Sequence, residues 1–259
     1  MFEAKLADGQ TLKRIVEAIK DLVTDVNIDA TPTGLSLQAM DSSHVALVNL
    51  HLSMEGFEKY RCDRNLTLGI SITNLAKVMK LVNVNDSITL KCEDEPTYLT
   101  IVCVNQKLDR TTQFNINLIT LDSEHLGIPE TEYTSEITMN SNEFSKLCKE
   151  LYVLSETVEF EISSTYVKFS VEGEVGSGSI KIQTGGGYNG ADDGVTKEEE
   201  TVKLSFALRY LNLFNKAYTL STHVKLSMAA DTPLVVEYEV EMLGTLKYYL
   251  APKITDGGQ

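Results

Sequence analysis

The second half of this chain repeats the layout of its first at a nearly fixed offset. The apolar spacing Leu12, Ile15, Val16, Ile19 recurs 132 residues later as Phe144, Leu147, Cys148, Leu151. The spacing Leu75, Val78, Met79, Val82 recurs 136 residues later as Leu211, Phe214, Asn215, Tyr218. Apolar residues recurring at three and four predict amphipathic helices, here over Asp8–Val23 with Asp8 as N-cap, Asn74–Val82, Asn142–Leu154 and Leu208–Thr219. Short alternating runs lie between them, among them Ser87–Cys92, Tyr98–Val104, Val158–Ser163, Tyr166–Glu172 and Leu234–Glu241. Four helices among many short strands predict an α+β chain of two similar domains, each with helices packed on antiparallel sheets.

The expected divisions are residues 1–117, a connector 118–134, a second domain 135–255 and a tail 256–259 that should fray. The connector is acidic but keeps the apolar anchors Leu121, Leu126, Ile128 and Tyr133. It therefore reads as an ordered strap over the surface, since disordered linkers lack such anchors. Glycines and acidic residues make Gly185–Glu200 read as a mobile loop, and no Walker-type phosphate loop occurs. The start of the chain lacks a signal-peptide core. No apolar run reaches the length of a membrane span. Cys62, Cys92, Cys103 and Cys148 are scattered with no C-x-x-C spacing, and read as reduced thiols rather than zinc ligands.

Charge is distributed unevenly. The 259 residues carry a net charge of −14, which argues against general nucleic-acid binding over the whole surface. Yet the four helical segments together sum to +6, leaving −20 for everything else. On helical wheels Lys13, Arg14, Lys20, Lys77, Lys80, Lys146, Lys149, Arg209 and Lys216 point away from the apolar faces. On one helix, outward lysines are ordinary solvated surface. Repeated on four helices of an acidic protein, they read as a composite surface for a polyanion, touching phosphates without reading bases. No aromatic residue interleaves with these cations in the sequence pattern, which argues against stacking on single-stranded bases.

Several stretches then carry a family resemblance: Ala39-Met40-Asp41-Ser42-Ser43-His44-Val45, Tyr60-Arg61-Cys62-Asp63-Arg64-Asn65-Leu66, Leu126-Gly127-Ile128-Pro129-Glu130, Phe206-Ala207-Leu208-Arg209-Tyr210-Leu211-Asn212 and Leu246-Lys247-Tyr248-Tyr249-Leu250-Ala251-Pro252-Lys253. Over nearly its whole length the chain resembles the eukaryotic sliding clamps of the proliferating cell nuclear antigen family. The resemblance implies a homotrimeric ring of six similar domains with pseudo-six-fold symmetry, its helices lining a hole for double-stranded DNA. It implies a nuclear processivity factor for DNA replication and repair that slides without sequence preference and uses no cofactor. Polymerases, flap endonuclease and ligase would be tethered through motif peptides, and a separate clamp loader would open the ring.

The same resemblance implies a peptide pocket at Met40, His44, Val45, Leu47, Leu126, Ile128, Pro129, Tyr133, Pro233, Tyr249, Ala251, Pro252, Lys253 and Ile254. It implies subunit contacts between the edge strands 109–117 and 175–183, with Asp109, Phe114, Val175 and Gly178 among the contact residues. The pocket set is mostly apolar, and Met40 makes an adaptable wall suited to many ligands. The lysine that the family uses for ubiquitin-like modifiers aligns with Ser164, so that role is not carried over, and nearby Lys168 is not assigned it.

Three other readings stay open at this point. Asp41, Ser42 and His44 suggest a hydrolase, although triads are set by spatial geometry and rarely lie adjacent in sequence. A subunit of a heteromeric clamp and a scaffold that never encircles DNA are the other two.

Overall fold

The computed structural model describes residues 1–122, 126–128, 131–163, 165–183, 194–198 (backbone) and 201–254. The chain divides into two compact units, the first comprising Met1–Gly127 with Glu239–Leu246, the second Ile128–Tyr238 with Lys247–Gln259.

In the first unit the order is β1 (Phe2–Leu6), α1 (Gly9–Ile19), β2 (Asp25–Thr31), β3 (Gly34–Met40), β4 (Ala46–Ser53), a 3₁₀ turn (Met54–Gly56), β5 (Lys59–Cys62), β6 (Leu66–Ser71), α2 (Ile72–Met79), β7 (Ser87–Cys92), β8 (Tyr98–Asn105) and β9 (Arg110–Asn117). Its strands hydrogen-bond in two series, β5-β1-β7-β8-β9 and β4-β3-β2-β6, with antiparallel pairing. The second unit has β10 (Ser135–Asn140), α3 (Ser141–Tyr152), β11 (Thr157–Ser163), β12 (Tyr166–Gly173), β13 (Gly176–Gln183), β14 (Gly194–Glu198), β15 (Val202–Ala207), α4 (Leu208–Phe214), a 3₁₀ turn (Asn215–Thr219), β16 (His223–Met228), β17 (Leu234–Val240) and β18 (Gly244–Leu250). Its series, β14-β10-β16-β17-β18 and β13-β12-β11-β15, match those of the first unit strand for strand.

The helices begin where capping chemistry allows. Asp8 accepts from the Gln10 amide at 2.9 Å, and Asn140 accepts from the amides of Asn142 and Glu143 at 3.0 and 3.1 Å. Each cap satisfies amides that have no partner inside the helix. A backbone bond then ties each helix start to the strand that follows the other helix. The Gly9 amide donates to the Asp86 carbonyl at 2.8 Å, and the Ser141 amide to the Thr222 carbonyl at 2.9 Å. These bonds join residues that are equivalent in the repeat.

The core of each unit lies between its helix pair and its strands. Leu12, Ile15, Val16, Ile19, Leu75 and Met79 are buried in the first unit, and Phe144, Leu147, Cys148, Leu151, Leu211 and Phe214 in the second. Burial pushes the Cys148 thiol up to about 12, against a hydrogen bond with Asn215 that lowers it, which keeps the thiol neutral. Among the described residues the four cysteines are free.

Several sequence expectations need correction. The first helix ends at Ile19, four residues early, although Leu22 and Val23 stay buried beyond it. The second helix starts at Ile72 rather than Asn74 and ends at Met79. The fourth is α-helical only to Phe214 and then tightens into the 3₁₀ turn. Two strands went unread, β1 and the four-residue β5, which pair with each other. The expected loop 185–200 contains a strand, because Gly194–Glu198 pairs with β10. Backbone bonds to a neighbouring strand outweigh a glycine-rich, acidic composition there. The rest of that segment, Ser164 and the expected tail at 256–259 lie outside the described residues.

Candidate functional site

The predicted cations divide between two helix pairs. In the first unit α1 packs beside α2. Arg14, Lys77 and Lys80 are exposed, while Lys13 and Lys20 are half-buried. Lys13 Nζ donates to the Val82 carbonyl at 3.1 Å, just past the end of α2. Unpaired carbonyls and the helix dipole both favour a cation at such an end. Lys20 Nζ sits 2.5 Å from Glu17. The Glu17 carboxylate holds that ammonium above the usual lysine range, against a partial desolvation that lowers it. Lys77 Nζ donates to Asn74 Oδ1 at 3.3 Å.

In the second unit α3 packs against α4 and the turn that follows it. Lys146, Lys149, Arg209 and Lys216 are exposed. Lys146 lies 3.8 Å from Glu150. The Arg209 guanidinium lies 4.8 Å from the centre of the Tyr210 ring, and Lys149 Nζ lies 5.8 Å from that of Tyr218. This corrects two expectations. Tyr218 is 39 % exposed rather than core, and an aromatic residue does stand among the basic ones.

A second feature lies wholly within the first unit. Strands β2 and β3 and the strap after β9 enclose a cavity of about 350 Å³, which Met40, His44, Leu47, Leu121 and Leu126 help to line. The loop that carries His44 is shaped by Asp41, whose carboxylate accepts the amides of Ser43, Val45 and Ala46 at 3.0, 2.8 and 2.7 Å. His44 itself takes a left-handed backbone with φ 56°. Asp41 is thus engaged in building the loop, which gives Asp41 and His44 a ready account without hydrolysis. Val45 contributes its amide to that loop and stands outside the cavity lining.

Hydrogen bonds fasten the strap at Leu118, Ile119 and Leu126, the first from the Leu118 amide to the Thr97 carbonyl at 2.9 Å. Gln38 Nε2 donates to the Leu126 carbonyl at 2.9 Å, and the Leu126 amide returns a bond to Gln38 Oε1 at 2.8 Å. Upstream, the Ile119 amide donates to the Gly69 carbonyl at 2.9 Å. A Cβ on residue 69 would stand 2.0 Å from the Ile119 carbonyl oxygen, so only glycine permits this approach. Sequence reasoning missed Gln38, Gly69 and the loop-building role of Asp41. A lone glycine within a β-branched and leucine-rich run was the available signal for Gly69.

The remaining expected pocket residues belong to the second unit, apart from Pro129, which lies outside the described residues. Tyr133 and Tyr249 are half-buried, and burial, reinforced by Tyr249, raises the Tyr133 phenol. Ile128 is half-buried, Pro233 exposed, and Ile254 93 % exposed. Past Ala251 and Pro252 the chain is pinned against β11 and β15. The Lys253 amide donates to the Ser205 carbonyl at 2.8 Å and Lys253 Nζ to Thr157 Oγ1 at 2.5 Å.

Among the described residues β9 and β13 are the longest of the strands that end a sheet, the others being β5, β6, β14 and β15. β9 pairs through β8 and β13 through β12. Phe114 is half-buried on β9, and Asp109 turns into that strand with φ 47°. Val175 is exposed at the turn before β13, and a Cβ at Gly178 would approach Leu154 to 3.1 Å. Open edges of this length are a liability that proteins normally cover.

Among the described residues no helix is long and apolar enough to cross a membrane, and no group of three or more His, Cys, Asp or Glu is placed to hold a metal ion. Comparison with known families matches residues 1–125 to the proliferating cell nuclear antigen N-terminal domain and residues 127–253 to the C-terminal domain of the same family. Clamps of that family are non-enzymatic scaffolds of replication and repair. With both domains matched in order along its length, the chain belongs to the proliferating cell nuclear antigen family of DNA sliding clamps.

Proposed function

We propose that three copies of this chain close into a ring of six similar domains around duplex DNA, and that the ring tethers replication and repair proteins to its track. The observation that carries this reading is the strand-for-strand repeat, in which each unit presents one helix pair bearing exposed cations on an otherwise acidic chain. Cations on the lining would hold phosphates loosely, and a negative exterior would keep DNA off the rim. Topological linkage would make tight binding unnecessary. The open edges of β9 and β13, near Asp109, Phe114, Val175 and Gly178, would join between subunits, which removes both exposed edges.

The cavity beside the 118–134 strap, with the second-unit residues around Tyr133, Tyr249 and the 251–254 segment, would take motif peptides of polymerases, flap endonuclease, ligase and a clamp loader. Domains of 1–117 and 135–255 with a short tail fit this use, as do a eukaryotic origin and a nuclear location.

Light scattering at micromolar concentration tests the assembly. The expected mass is three times the chain mass of 28.7 kDa, with the ring retained on closed circular DNA and released when the circle is cut. A stable monomer would overturn the homotrimer and favour a heteromeric clamp. Reversing Lys77, Lys80 and Lys146 to Glu should abolish retention while leaving peptide binding intact. Unchanged retention would overturn the role of the helix faces.

A further inference from the structure

The helix faces of the two units differ in one respect that bears on what form of DNA each can hold. The residue of the first unit equivalent to Tyr218 is Val82, which is 2 % exposed. In the second unit Tyr218 lies in the 3₁₀ turn Asn215–Thr219 and is 39 % exposed. The backbone that carries the ring is pinned to the start of α3. Ser141 Oγ donates to the Tyr218 carbonyl at 3.1 Å and to the Ser221 carbonyl at 2.5 Å. Asn215, one turn earlier, is buried and accepts from the Tyr238 hydroxyl at 2.9 Å. Lys149 Nζ stands 5.8 Å from the ring centre, and exposed Lys216 lies two residues before Tyr218 in the same turn. Tyr152, three residues beyond Lys149 on α3, is also exposed.

An exposed aromatic ring beside cations is an arrangement that binds unpaired nucleotides. The ring takes a base face, the ammonium groups take the neighbouring phosphates, and the base identity matters little. A duplex hides its base faces in the stack and would use only the cations. We propose that Tyr218, beside Lys149 and Lys216, is a stacking platform for an unpaired base of single-stranded DNA. It would give the second unit of the clamp a hold on unpaired template that the first unit lacks. The proposal rests on the reading that the helix faces meet DNA.

The test uses the full chain at low salt, with fluorescence anisotropy of labelled oligothymidine and of a labelled duplex of equal length. Loss of one base stack costs about fivefold or more, so Tyr218→Ala should weaken oligothymidine binding by at least that factor and change duplex binding less than twofold. Tyr218→Phe should keep both. The turn is held through the Tyr218 carbonyl and not its ring, so the melting temperature should stay unchanged in both variants. The proposal is overturned if the wild-type chain does not bind oligothymidine. It is equally overturned if Tyr218→Ala binds within twofold of wild type, or if both ligands weaken by the same factor. Failure of the wider reading shows separately, as duplex binding that survives reversal of Lys77, Lys80 and Lys146.

Discussion

The two units share one layout but fill it with different side chains. Around α3 the second unit packs Phe144, Phe160, Phe169 and Phe206, all fully buried. Phe160 lies edge-on to Phe169 and Phe206, with ring centres 4.8 and 5.4 Å away. The equivalent positions of the first unit hold Leu12, Ile28, Leu37 and Ile70, and Ile28 is half-buried. The same backbone therefore accepts an aromatic core or an aliphatic one. What the layout demands is an apolar buried face rather than particular residues. The difference continues outside. The first unit engages Lys13 on a carbonyl, Lys20 on Glu17 and Lys77 on Asn74, whereas the second sets Lys149 and Arg209 against tyrosine rings.

Truncation would expose the difference in the cores most strongly. Phe160→Ala leaves a large cavity inside a ring cluster and should cost about 3–5 kcal/mol. Ile28→Ala at the equivalent position, only partly buried, should cost on the order of 1–2 kcal/mol. Urea unfolding of both variants checks this, and equal losses would mean that the two cores are not built differently.

The next effect concerns acid. In the first unit the helix start is tied to Asp86, where the second unit has Thr222. The Asp86 side chain is buried and accepts from the Asn83 amide at 2.8 Å and from Asn105 Nδ2 at 2.6 Å. Burial alone would raise its carboxyl, but these bonds, with Arg110 nearby, outweigh it and hold the group below the usual carboxylate range. A carboxyl with a depressed folded pKa stabilises above its unfolded value and loses that contribution as pH falls through the folded one. The first unit should therefore open before the second below about pH 4, as read by amide hydrogen exchange. Asp86→Asn should cost about 1.5–3 kcal/mol at neutral pH and erase that order of opening. The smallest effect is Glu17→Ala, which frees Lys20 at about 0.2–0.5 kcal/mol of helix stability. Its duplex affinity should rise slightly at low salt, and a fall would mean that the pair orients Lys20 usefully.

Much of this was legible before any coordinates. Helical periodicity placed Arg14, Lys77, Lys80, Lys146, Lys149, Arg209 and Lys216 on outward faces, because a 3.6-residue repeat with a continuous apolar stripe leaves few other choices. It erred at Tyr218 because the pattern was extended at α-helical pitch through a turn wound at three residues per turn.

Pocket membership came from family resemblance and not from pattern. Met40, Leu47 and Leu126 have nothing in their spacing to bring them together, and Gln38 is a strand residue whose partner lies 88 positions away. Likewise β14 was invisible, since its strand character comes from pairing with β10 rather than from its own residues. The sequence by itself determined what repeats locally: helix faces, charge segregation and the duplication of the chain, each set by residues within a turn or two of one another. The tertiary structure decided which strands find partners, which edges stay open, where the strap is fastened and which way Tyr218 points, because those depend on contacts between residues far apart along the chain.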